Sequence, residues 1–359
     1  MIPFFDLAAQ QAVIKRQLDE NIANVLSHGK YILGPEVEEL EERLAEYTGA
    51  KYCITCANGT DALQIALMAI GVGPGDEVIT PAFSYIATAE ATALLGAKPI
   101  FVDVDPVSFN INPALIEEKI TSKSKAIIPV SLYGQPAKFQ KINNIAKRHD
   151  LIVIEDAAQS FGSEQLGKKS CNLSDISCTS FFPTKTLGCY GDGGAIFTSD
   201  ENFANKIRQI ARHGQTKRYF HSVVGINSRL DTIQAAILLA KLKILDNEIN
   251  ARNLLAEEIK KIQTKRDIKF PVIDKNCYST YGQFTIIDKK RDELKQVLNQ
   301  VEIPSMIHYP KPLNQQPAVY CSASDTPVSN RLSSQVLSLP LPIYANNIDH
   351  FLETLGKVL

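Results

Sequence analysis

The sequence predicts an α/β protein whose large domain contains a mostly parallel sheet, followed by a smaller α+β unit. Between residues 52 and 197, short β-branched runs alternate with helical stretches. Several of these runs are apolar almost throughout, which is typical of strands covered on both faces. After residue 229 the pattern changes to a long segment rich in Ala, Leu, Lys and Glu. Repeated strand–helix units of this kind imply parallel strands with helices on both sides of the sheet.

The strand candidates share β-branched and apolar residues bounded by turn-forming residues. They are Y-C-I-T-C-A, E-V-I-T-P, P-I-F-V-D-V-D, K-A-I-I-P-V-S-L, L-I-V-I-E-D-A, I-S-C-T-S-F-F and A-I-F-T-S-D. Helical patterns separate most of them, for example over Asp61–Ile70, Pro113–Lys119 and Phe139–His149. This alternation predicts that the carboxyl ends of the strands form one edge, where ligands of open α/β sheets bind.

The C-terminal third begins with a helical pattern that runs from Arg229 to about Ile262. It is long for one helix, so we expect a break near Asn250. The elements predicted after it are the strand Y-G-Q-F-T-I-I-D, a helix over Asp292–Gln300, a loop over Pro304–Pro317 and a final helix from Asn347. We therefore divide the chain into residues 1–245, a large domain with an N-terminal helical segment, and residues 246–359, a small domain.

Composition excludes several classes of partner. The 38 basic and 39 acidic side chains give a net charge of −1, which argues against a nucleic-acid partner. The most apolar run, Ala235–Leu245, is interrupted by lysines, and the N-terminus lacks a signal-peptide pattern, so we expect a cytoplasmic protein without a membrane partner. The C-x-x-C of Cys53 and Cys56 has no second pair at ligand spacing, so we expect packing cysteines and no metal site.

Two motifs at strand ends carry chemistry. In L-I-V-I-E-D-A-A-Q, an apolar strand ends at Glu155 and Asp156, either to cap the following turn or to face a cofactor nitrogen. In S-F-F-P-T-K-T-L-G-C-Y-G-D-G-G, Lys185 stands among small and apolar residues. A buried lysine there would have a lowered pKa and could attack an aldehyde, whereas a solvated lysine would do neither.

Two further motifs lie at other strand ends. In N-G-T-D-A-L, Gly59 and Thr60 open a helix whose free N–H groups could bind phosphate. In P-A-F-S-Y-I-A-T, an aromatic side chain could stack on a planar ring or simply belong to the core. Together the four motifs supply an anion site, a stacking face, a carboxylate and an amine. A flat, phosphorylated aldehyde with a ring nitrogen needs these parts.

With these motifs, the chain resembles the DegT/DnrJ/EryC1/StrS family of nucleotide-sugar aminotransferases. The resemblance runs end to end through F-F-D-L, H-G-K-Y-I-L-G-P-E-V, N-G-T-D-A-L, E-D-A-A-Q and K-T-L-G-C-Y-G-D-G-G. It implies the aspartate aminotransferase fold (fold type I), with a large, mostly parallel α/β/α sandwich domain and a small C-terminal α+β domain. It also implies the cofactor pyridoxal 5'-phosphate (PLP).

The resemblance further implies roles for individual residues. For catalysis it implies that Lys185 holds the cofactor covalently and that Asp156 pairs with its pyridine nitrogen. The other implied cofactor contacts are Gln159 at the ring hydroxyl, Tyr85 (with Phe83 as its near neighbour) on the ring face, Gly59, Thr60 and Ser180 at the phosphate, and Asn227 from the partner subunit. The implied substrate-facing residues are Tyr31, Arg229, His308 and Tyr309. Arg229 could instead cap the long helix, and His308 could be a packing residue.

By the same resemblance, the expected acceptor is UDP-N-acetyl-3-oxo-glucosaminuronic acid and the donor is L-glutamate, which leaves as 2-oxoglutarate. The expected pathway is bacterial surface polysaccharide (O-antigen) biosynthesis, and the expected assembly is a homodimer with shared active sites. Three alternatives stay open: transamination at C4 of a 4-keto-6-deoxy sugar, a sugar 3-dehydratase, and a non-catalytic PLP-binding regulator. Lys185 argues against the dehydratase, whose members have histidine at this position.

Overall fold

The structure is a computed structural model that describes residues 2–319, 321 and 324–359. Its helices, in chain order, are α1 (Leu7–His28), α2 (Pro35–Thr48), α3 (Gly59–Ala69), α4 (Ala87–Leu94), α5 (Phe139–Arg148), α6 (Glu201–Ile210), α7 (Thr232–Leu242), α8 (Leu245–Lys260), α9 (Arg291–Gln300), α10 (Pro327–Gln335) and α11 (Ile348–Val358). Among these described helices, none combines the length and the apolar character that crossing a membrane requires.

The strands are β1 (Tyr52–Cys56), β2 (Glu77–Pro81), β3 (Lys98–Val102), β4 (Ser124–Ile127), β5 (Ile152–Asp156), β6 (Glu164–Gln165), β7 (Lys168–Lys169), β8 (Ile176–Ser180), β9 (Gly194–Thr198), β10 (Gln215–Lys217), β11 (Phe220–His221), β12 (Cys277–Tyr278), β13 (Phe284–Ile287) and β14 (Val336–Leu339). Seven of them form the central sheet in the order β1-β9-β8-β5-β4-β2-β3. Only β9 runs against its two neighbours in that sheet. The mostly parallel sheet predicted from the sequence is therefore confirmed.

Helices cover both faces of this sheet. Apolar residues of α3 and α6 pack on one face, and those of α2 and α7 pack on the other. Successive strand residues point to opposite faces, so Cys53 joins the second of these cores while Ile54 joins the first. Cys53 and Cys56 are both buried and free, which confirms them as packing residues. The α/β/α sandwich is thus the architecture of the large part of the chain.

A separate core lies in the C-terminal part. It contains β13, β14, α9 and α11, together with the second half of α8 through Leu255 and Ile259. The first half of α8 belongs to the large core through Leu245 and Ile249. Helix α8 therefore connects the two cores, and the domain division at residue 245 stays a prediction.

Some predicted elements differ from those in the structure. Residues 113–119 form two short 3₁₀ segments, Pro113–Leu115 and Glu117–Lys119, because so short a stretch with one fully buried apolar side chain, Ile116, does not sustain an α-helix. The long helical segment breaks at Lys243–Ile244 and not near Asn250, because α8 packs on the large core through Leu245 and Ile249 and on the second core through Leu255, and so continues through Asn250. The predicted loop over 304–317 contains a 3₁₀ turn at Leu313–Gln315.

Candidate active site

The carboxyl ends of β5 and β8 bring one carboxylate, Asp156, close to Lys185. Asp156 is buried at the end of β5, where its Oδ2 accepts a hydrogen bond from Thr88 Oγ1 at 2.8 Å and its Oδ1 accepts one from the Ala158 N–H at 3.2 Å. Burial raises the pKa of Asp156, while these hydrogen bonds and the charge of Lys185 act in the opposite direction. This carboxylate is therefore close to a positive charge at the sheet edge.

Its neighbour Glu155 has a different environment. Its carboxylate accepts hydrogen bonds from the hydroxyls of Ser131, Ser170 and Ser177 and from the Cys171 N–H, at 2.7 to 3.3 Å. Because adjacent strand residues point to opposite faces, Glu155 faces away from Lys185. Glu155 thus ties loops to the sheet, and Asp156 is the carboxylate at the functional edge.

Lys185 lies on the loop after β8, where its backbone N–H donates to the Phe182 carbonyl at 2.9 Å. Burial lowers the pKa of the Lys185 amine, and the nearby Asp156 charge opposes that shift. In the part of the chain that the structure describes, no residue hydrogen-bonds this amine. It is a partly desolvated primary amine without a hydrogen-bonded protein partner, the state that favours attack on an aldehyde.

The N-G-T turn faces the end of β8. Asn58 caps α3 by accepting a hydrogen bond from the Asp61 N–H at 2.8 Å, and Gly59 is the first residue of the helix. A Cβ at Gly59 would lie 2.7 Å from the Ser180 Cβ, so this approach requires glycine. On the other side, the Ala57 N–H donates to the Ser228 hydroxyl at 3.0 Å. Among the described residues, the backbone N–H groups of Gly59 and Thr60 have no hydrogen-bond partner, and Gly59 lies against Ser180 at the end of β8.

Gln159 and the aromatic residues Phe83, Tyr85 and Tyr309 form another side of the candidate site. Gln159 accepts a hydrogen bond from the Tyr133 N–H and donates one to the Tyr309 hydroxyl, both at 2.9 Å. Phe83 is fully buried and packs edge-on against Tyr309, whereas Tyr85 is 57% exposed with its ring centroid 6.0 Å from that of Tyr309. Of the two aromatic candidates, only Tyr85 has a face open to a ligand.

His308 and Tyr309, from the C-terminal part of the chain, lie on the same side of the candidate site. His308 Nδ1 forms a 2.8 Å hydrogen bond with the Ser338 hydroxyl, and the Tyr133 hydroxyl donates to the His308 carbonyl. Burial, and then the charge of Lys185, lower the pKa of His308 to about 4. Burial raises the pKa of Tyr309, with the Asp156 charge acting in the same direction. Both side chains are therefore neutral near pH 7.

Three predicted residues form a second group near the loop before α7. Asn227 is exposed, Arg229 is half-buried, and Tyr31 is 48% exposed, with its carbonyl accepting a hydrogen bond from the Thr232 N–H at 2.9 Å. Within the described residues, the Arg229 guanidinium has no hydrogen-bond or ion-pair partner, and no hydrogen bond joins this group to Lys185. Arg229 does not cap α7 through its side chain.

The sequence did not identify three side chains that support this site, namely Thr88, Tyr133 and Ser338. Thr88 ends P-A-F-S-Y-I-A-T, the motif considered only for its aromatic residues, and Tyr133 belongs to S-L-Y-G-Q. Ser338 lies in a strand that was not predicted. Each of the three side chains acts through a hydrogen bond to a residue at least 30 positions away in the chain.

Comparison with known proteins identifies the family. The model described as "DegT/DnrJ/EryC1/StrS aminotransferase family" matches residues 12–348. The chain belongs to this family. It is therefore an aminotransferase of the PLP-dependent kind, with the fold type I architecture expected from the resemblance.

Three relatives illustrate the similarity. The chain is 58% identical, over 96% of both chains, to the "UDP-2-acetamido-2-deoxy-3-oxo-D-glucuronate aminotransferase" of Pseudomonas aeruginosa. It superposes on the crystal structure of a DegT DnrJ EryC1 StrS aminotransferase from Brucella abortus with a TM-score of 0.92, at 43% identity over 99% and 98% of the two chains. For NtdA of Bacillus subtilis, solved with bound cofactor PMP, the TM-score is 0.91, at 34% identity over 99% and 85% of the two chains.

The residues of this aminotransferase fit the family's cofactor. The turn at Gly59 is too close to Ser180 for any side chain, which leaves backbone N–H groups as the lining of an anion site. Asp156 is a buried carboxylate able to stabilise a positive charge, and Lys185 is an amine without a hydrogen-bonded partner among the described residues.

Gly59→Ala is expected to weaken PLP binding about tenfold. The new methyl group would lie 2.7 Å from the Ser180 Cβ, and relieving that clash moves the turn whose N–H groups are expected to bind the phosphate. Overpacking of this kind costs about 1–3 kcal/mol, or roughly 5- to 150-fold in affinity. Fluorescence titration of the apoenzyme with PLP measures the effect. Gly73→Ala is the control, since no atom lies within 4 Å of its added Cβ; equal PLP affinity in both variants would contradict the assignment.

Proposed function

We propose that this aminotransferase transfers the amino group of L-glutamate to C3 of UDP-N-acetyl-3-oxo-glucosaminuronic acid. The observation that carries this proposal is the 58% identity, over 96% of both chains, to the Pseudomonas aeruginosa enzyme named for that substrate. The intact pair of Lys185 and Asp156 supports catalysis, because a PLP-binding regulator would need the lysine only to hold the cofactor and would not need a buried carboxylate to keep the pyridine nitrogen protonated.

In this proposal Lys185 holds PLP covalently and Asp156 pairs with the pyridine nitrogen. Gly59, Thr60 and Ser180 bind the phosphate, Gln159 contacts the ring hydroxyl, and Tyr85 covers the ring face. Asn227 of a second subunit reaches the phosphate. When bound, the cofactor supplies an electron-withdrawing ring for the carbon that loses its proton.

The chain's own residues then move protons and hold charge. Nζ of Lys185 accepts a proton from the α-carbon of the donor, for which its lowered pKa suits it. Asp156 keeps the proton on the pyridine nitrogen, because it is the buried carboxylate at this edge. When the sugar is the substrate, Nζ of the same lysine delivers a proton to C3. Because donor and acceptor use this one site in turn, 2-oxoglutarate leaves before the sugar binds and the kinetics are ping-pong.

Arg229 is the proposed anchor for the acidic sugar. Its guanidinium is half-buried and unpaired among the described residues, and arginine binds carboxylates or phosphates through two parallel hydrogen bonds. Tyr31, His308 and Tyr309 complete the proposed sugar pocket. Since no hydrogen bond joins the Arg229 group to Lys185 within the described part of one chain, a homodimer that shares its sites is part of the proposal.

The biological setting is proposed on the same basis. A UDP-linked 3-amino uronic acid is a precursor expected in bacterial surface polysaccharide, including O-antigen. The cytoplasmic location expected from the sequence stays a prediction.

The decisive experiment compares acceptors. We expect the 3-oxo uronic acid, generated in situ by an upstream C3 dehydrogenase, to be converted at least tenfold faster (kcat/KM) than UDP-N-acetyl-3-oxo-glucosamine, which lacks the carboxylate. A hydrogen-bonded charge contributes about 1.5–3 kcal/mol, or roughly 10- to 150-fold. Arg229→Met should remove this preference while leaving the glutamate half-reaction unchanged, and Arg229→Lys should keep part of it.

Other outcomes of that experiment are informative. Faster turnover of a 4-keto-6-deoxy sugar would move the reaction to C4 and refute the proposed substrate. PLP binding without turnover of glutamate would instead indicate a regulator. Formation of 2-oxoglutarate from glutamate, followed by mass spectrometry of the amino sugar, separates these cases.

A further inference from the structure

The loop between β8 and β9, residues 181–193, carries Lys185 and packs against α7. In that contact Lys241 Nζ donates a hydrogen bond to the Gly188 carbonyl at 2.6 Å. We infer that Lys241 is a positioning residue, which holds this Lys185 loop in the conformation that the reaction needs. The inference deepens the proposed function and takes from it only the role of Lys185.

Side chains from two turns of α7 hydrogen-bond to the Lys185 loop, on one face of the helix. Gln234 and Lys241 are seven residues apart, which is close to two helical turns. Gln234 Oε1 accepts a hydrogen bond from the Tyr190 N–H at 2.9 Å. Apolar residues of the loop and of the helix, among them Leu187 and Leu238, share one core. The helix therefore holds the loop at two backbone groups, and one of these depends on Lys241.

The Lys185 loop turns back on itself, so its two halves touch. The Lys185 N–H donates to the Phe182 carbonyl at 2.9 Å. A Cβ on Gly188 would lie 2.7 Å from the Phe182 carbonyl oxygen and 2.5 Å from that of Pro183. The backbone before Lys185 is thus packed directly on the backbone after it. Because closely packed groups transmit a displacement, a shift of the Gly188 carbonyl moves the turn that carries Lys185.

Lys241 is a buried cation that lacks an acidic partner. Its side chain is 2% exposed, and none of the carboxylates that the structure describes forms an ion pair with it. Its Nζ lies 4.5 Å from the centroid of the Tyr190 ring, whose face attracts a cation. Burial lowers the pKa of Lys241 to about 8, with the charge of Glu248 opposing that shift, so the amine is protonated at pH 7. Its direct partners, a carbonyl and an aromatic ring, both belong to the Lys185 loop.

The position of this cation indicates a role in placing the loop. A buried charge without a carboxylate costs free energy that an apolar side chain would not. The neighbouring buried residues of α7, Leu238 and Ala240, are apolar, so an apolar residue at position 241 would suit the same packing. A charged donor, however, forms a stronger hydrogen bond to the loop than a neutral one. Precise placement repays that cost, because an error of about 1 Å at a reacting group can slow a reaction roughly 10²-fold.

Lys241→Met tests the inference, because methionine keeps the apolar stem and removes the donor. We expect kcat with L-glutamate to fall at least about tenfold, with little change in the KM of glutamate. The Tm should stay at or above that of wild type, since an unpaired buried charge is removed. The visible circular dichroism of bound PLP should also change, because this signal depends on how the cofactor is oriented at its lysine, and it needs no substrate.

Lys243→Met is the matched control. It removes a lysine from the same end of the helix, where Nζ donates to Gln17 Oε1 on the surface at 2.9 Å. Its kcat and circular dichroism should equal those of wild type. Lys241→Gln keeps a neutral N–H donor and should restore part of the loss seen with methionine. It also carries the test if the methionine variant does not fold.

Two results would overturn the inference. One is a folded Lys241→Met protein with the kcat and the visible circular dichroism of wild type. The other is a kcat that falls only in proportion to the fraction of folded protein, which is the effect of a purely structural residue. Borohydride reduction of wild-type holoenzyme tests Lys185 separately: if PLP is not trapped there, the proposed function fails, whatever the Lys241 variants show.

Discussion

Lys185→Ala is expected to reduce turnover by at least about 10³-fold and to abolish the covalent attachment of PLP. Lys185 is the amine whose pKa burial lowers beside Asp156, and the proposal assigns it both the covalent bond and the proton transfers. Positioned proton transfer alone contributes about 10²- to 10⁴-fold. Borohydride reduction followed by peptide mass spectrometry measures attachment, and release of 2-oxoglutarate measures turnover.

The control for this variant uses the proposed shared site. An Asn227→Ala subunit mixed with a Lys185→Ala subunit would form hybrid dimers in which one site has both residues intact. Partial recovery of activity on mixing would show that each variant folds and that the site is shared. Normal turnover by purified Lys185→Ala would disprove the assignment of the lysine.

The sequence predicted the functional edge of the sheet because its chemistry is local. The motifs around Gly59, Asp156 and Lys185 each follow an apolar strand, and parallel strands place their carboxyl ends at one edge. The motif alone left open which carboxylate of Glu155 and Asp156 faces a ligand, and only the family resemblance implied Asp156. The alternation of strand residues supports that choice, because four hydrogen bonds, three from loops and one from β8, hold Glu155 on the other face.

The supporting residues could not be predicted in the same way. Thr88 bonds to Asp156 across 68 positions and Ser338 bonds to His308 across 30, so no periodicity or spacing connects these pairs. Serine and threonine are also common in turns and caps, and their type alone indicates no partner. Burial depends on the same long-range packing, which is why Phe83 and Tyr85 could be separated only in the folded chain.

The position of the helix break also depends on packing between residues that are distant in the chain. The sequence around Asn250 contains polar residues that weaken a helix, yet Asn253 is accommodated there, because its side chain donates to the carbonyls of Ile249 and Ser279. The break occurs instead at Lys243–Ile244, and α8 then continues from the large core, through Leu245 and Ile249, to the second core. Tertiary packing therefore overrides local propensity at this junction.

Asp156→Asn is expected to lower kcat about 10²- to 10⁴-fold while the protein stays folded. An amide at this position cannot keep the proton on the pyridine nitrogen, so the ring withdraws electrons poorly. Removing one partner of a buried charge pair costs about 3–5 kcal/mol, which corresponds to roughly 10²- to 10⁴-fold in rate. The absorption spectrum of the bound cofactor and the glutamate half-reaction both report this change.

Glu155→Gln provides the matched control, because it alters the neighbouring buried carboxylate by the same single group. The carboxylate oxygens of Glu155 accept hydrogen bonds from three hydroxyls and one N–H. A glutamine has only one oxygen to accept them, so the variant should have a lower free energy of unfolding. Its cofactor spectrum and kcat should stay near those of wild type. The two variants should therefore separate a structural from a catalytic carboxylate on adjacent residues of one strand. If Glu155→Gln lowered kcat as much as Asp156→Asn without loss of stability, the division of roles between the two faces of β5 would be wrong.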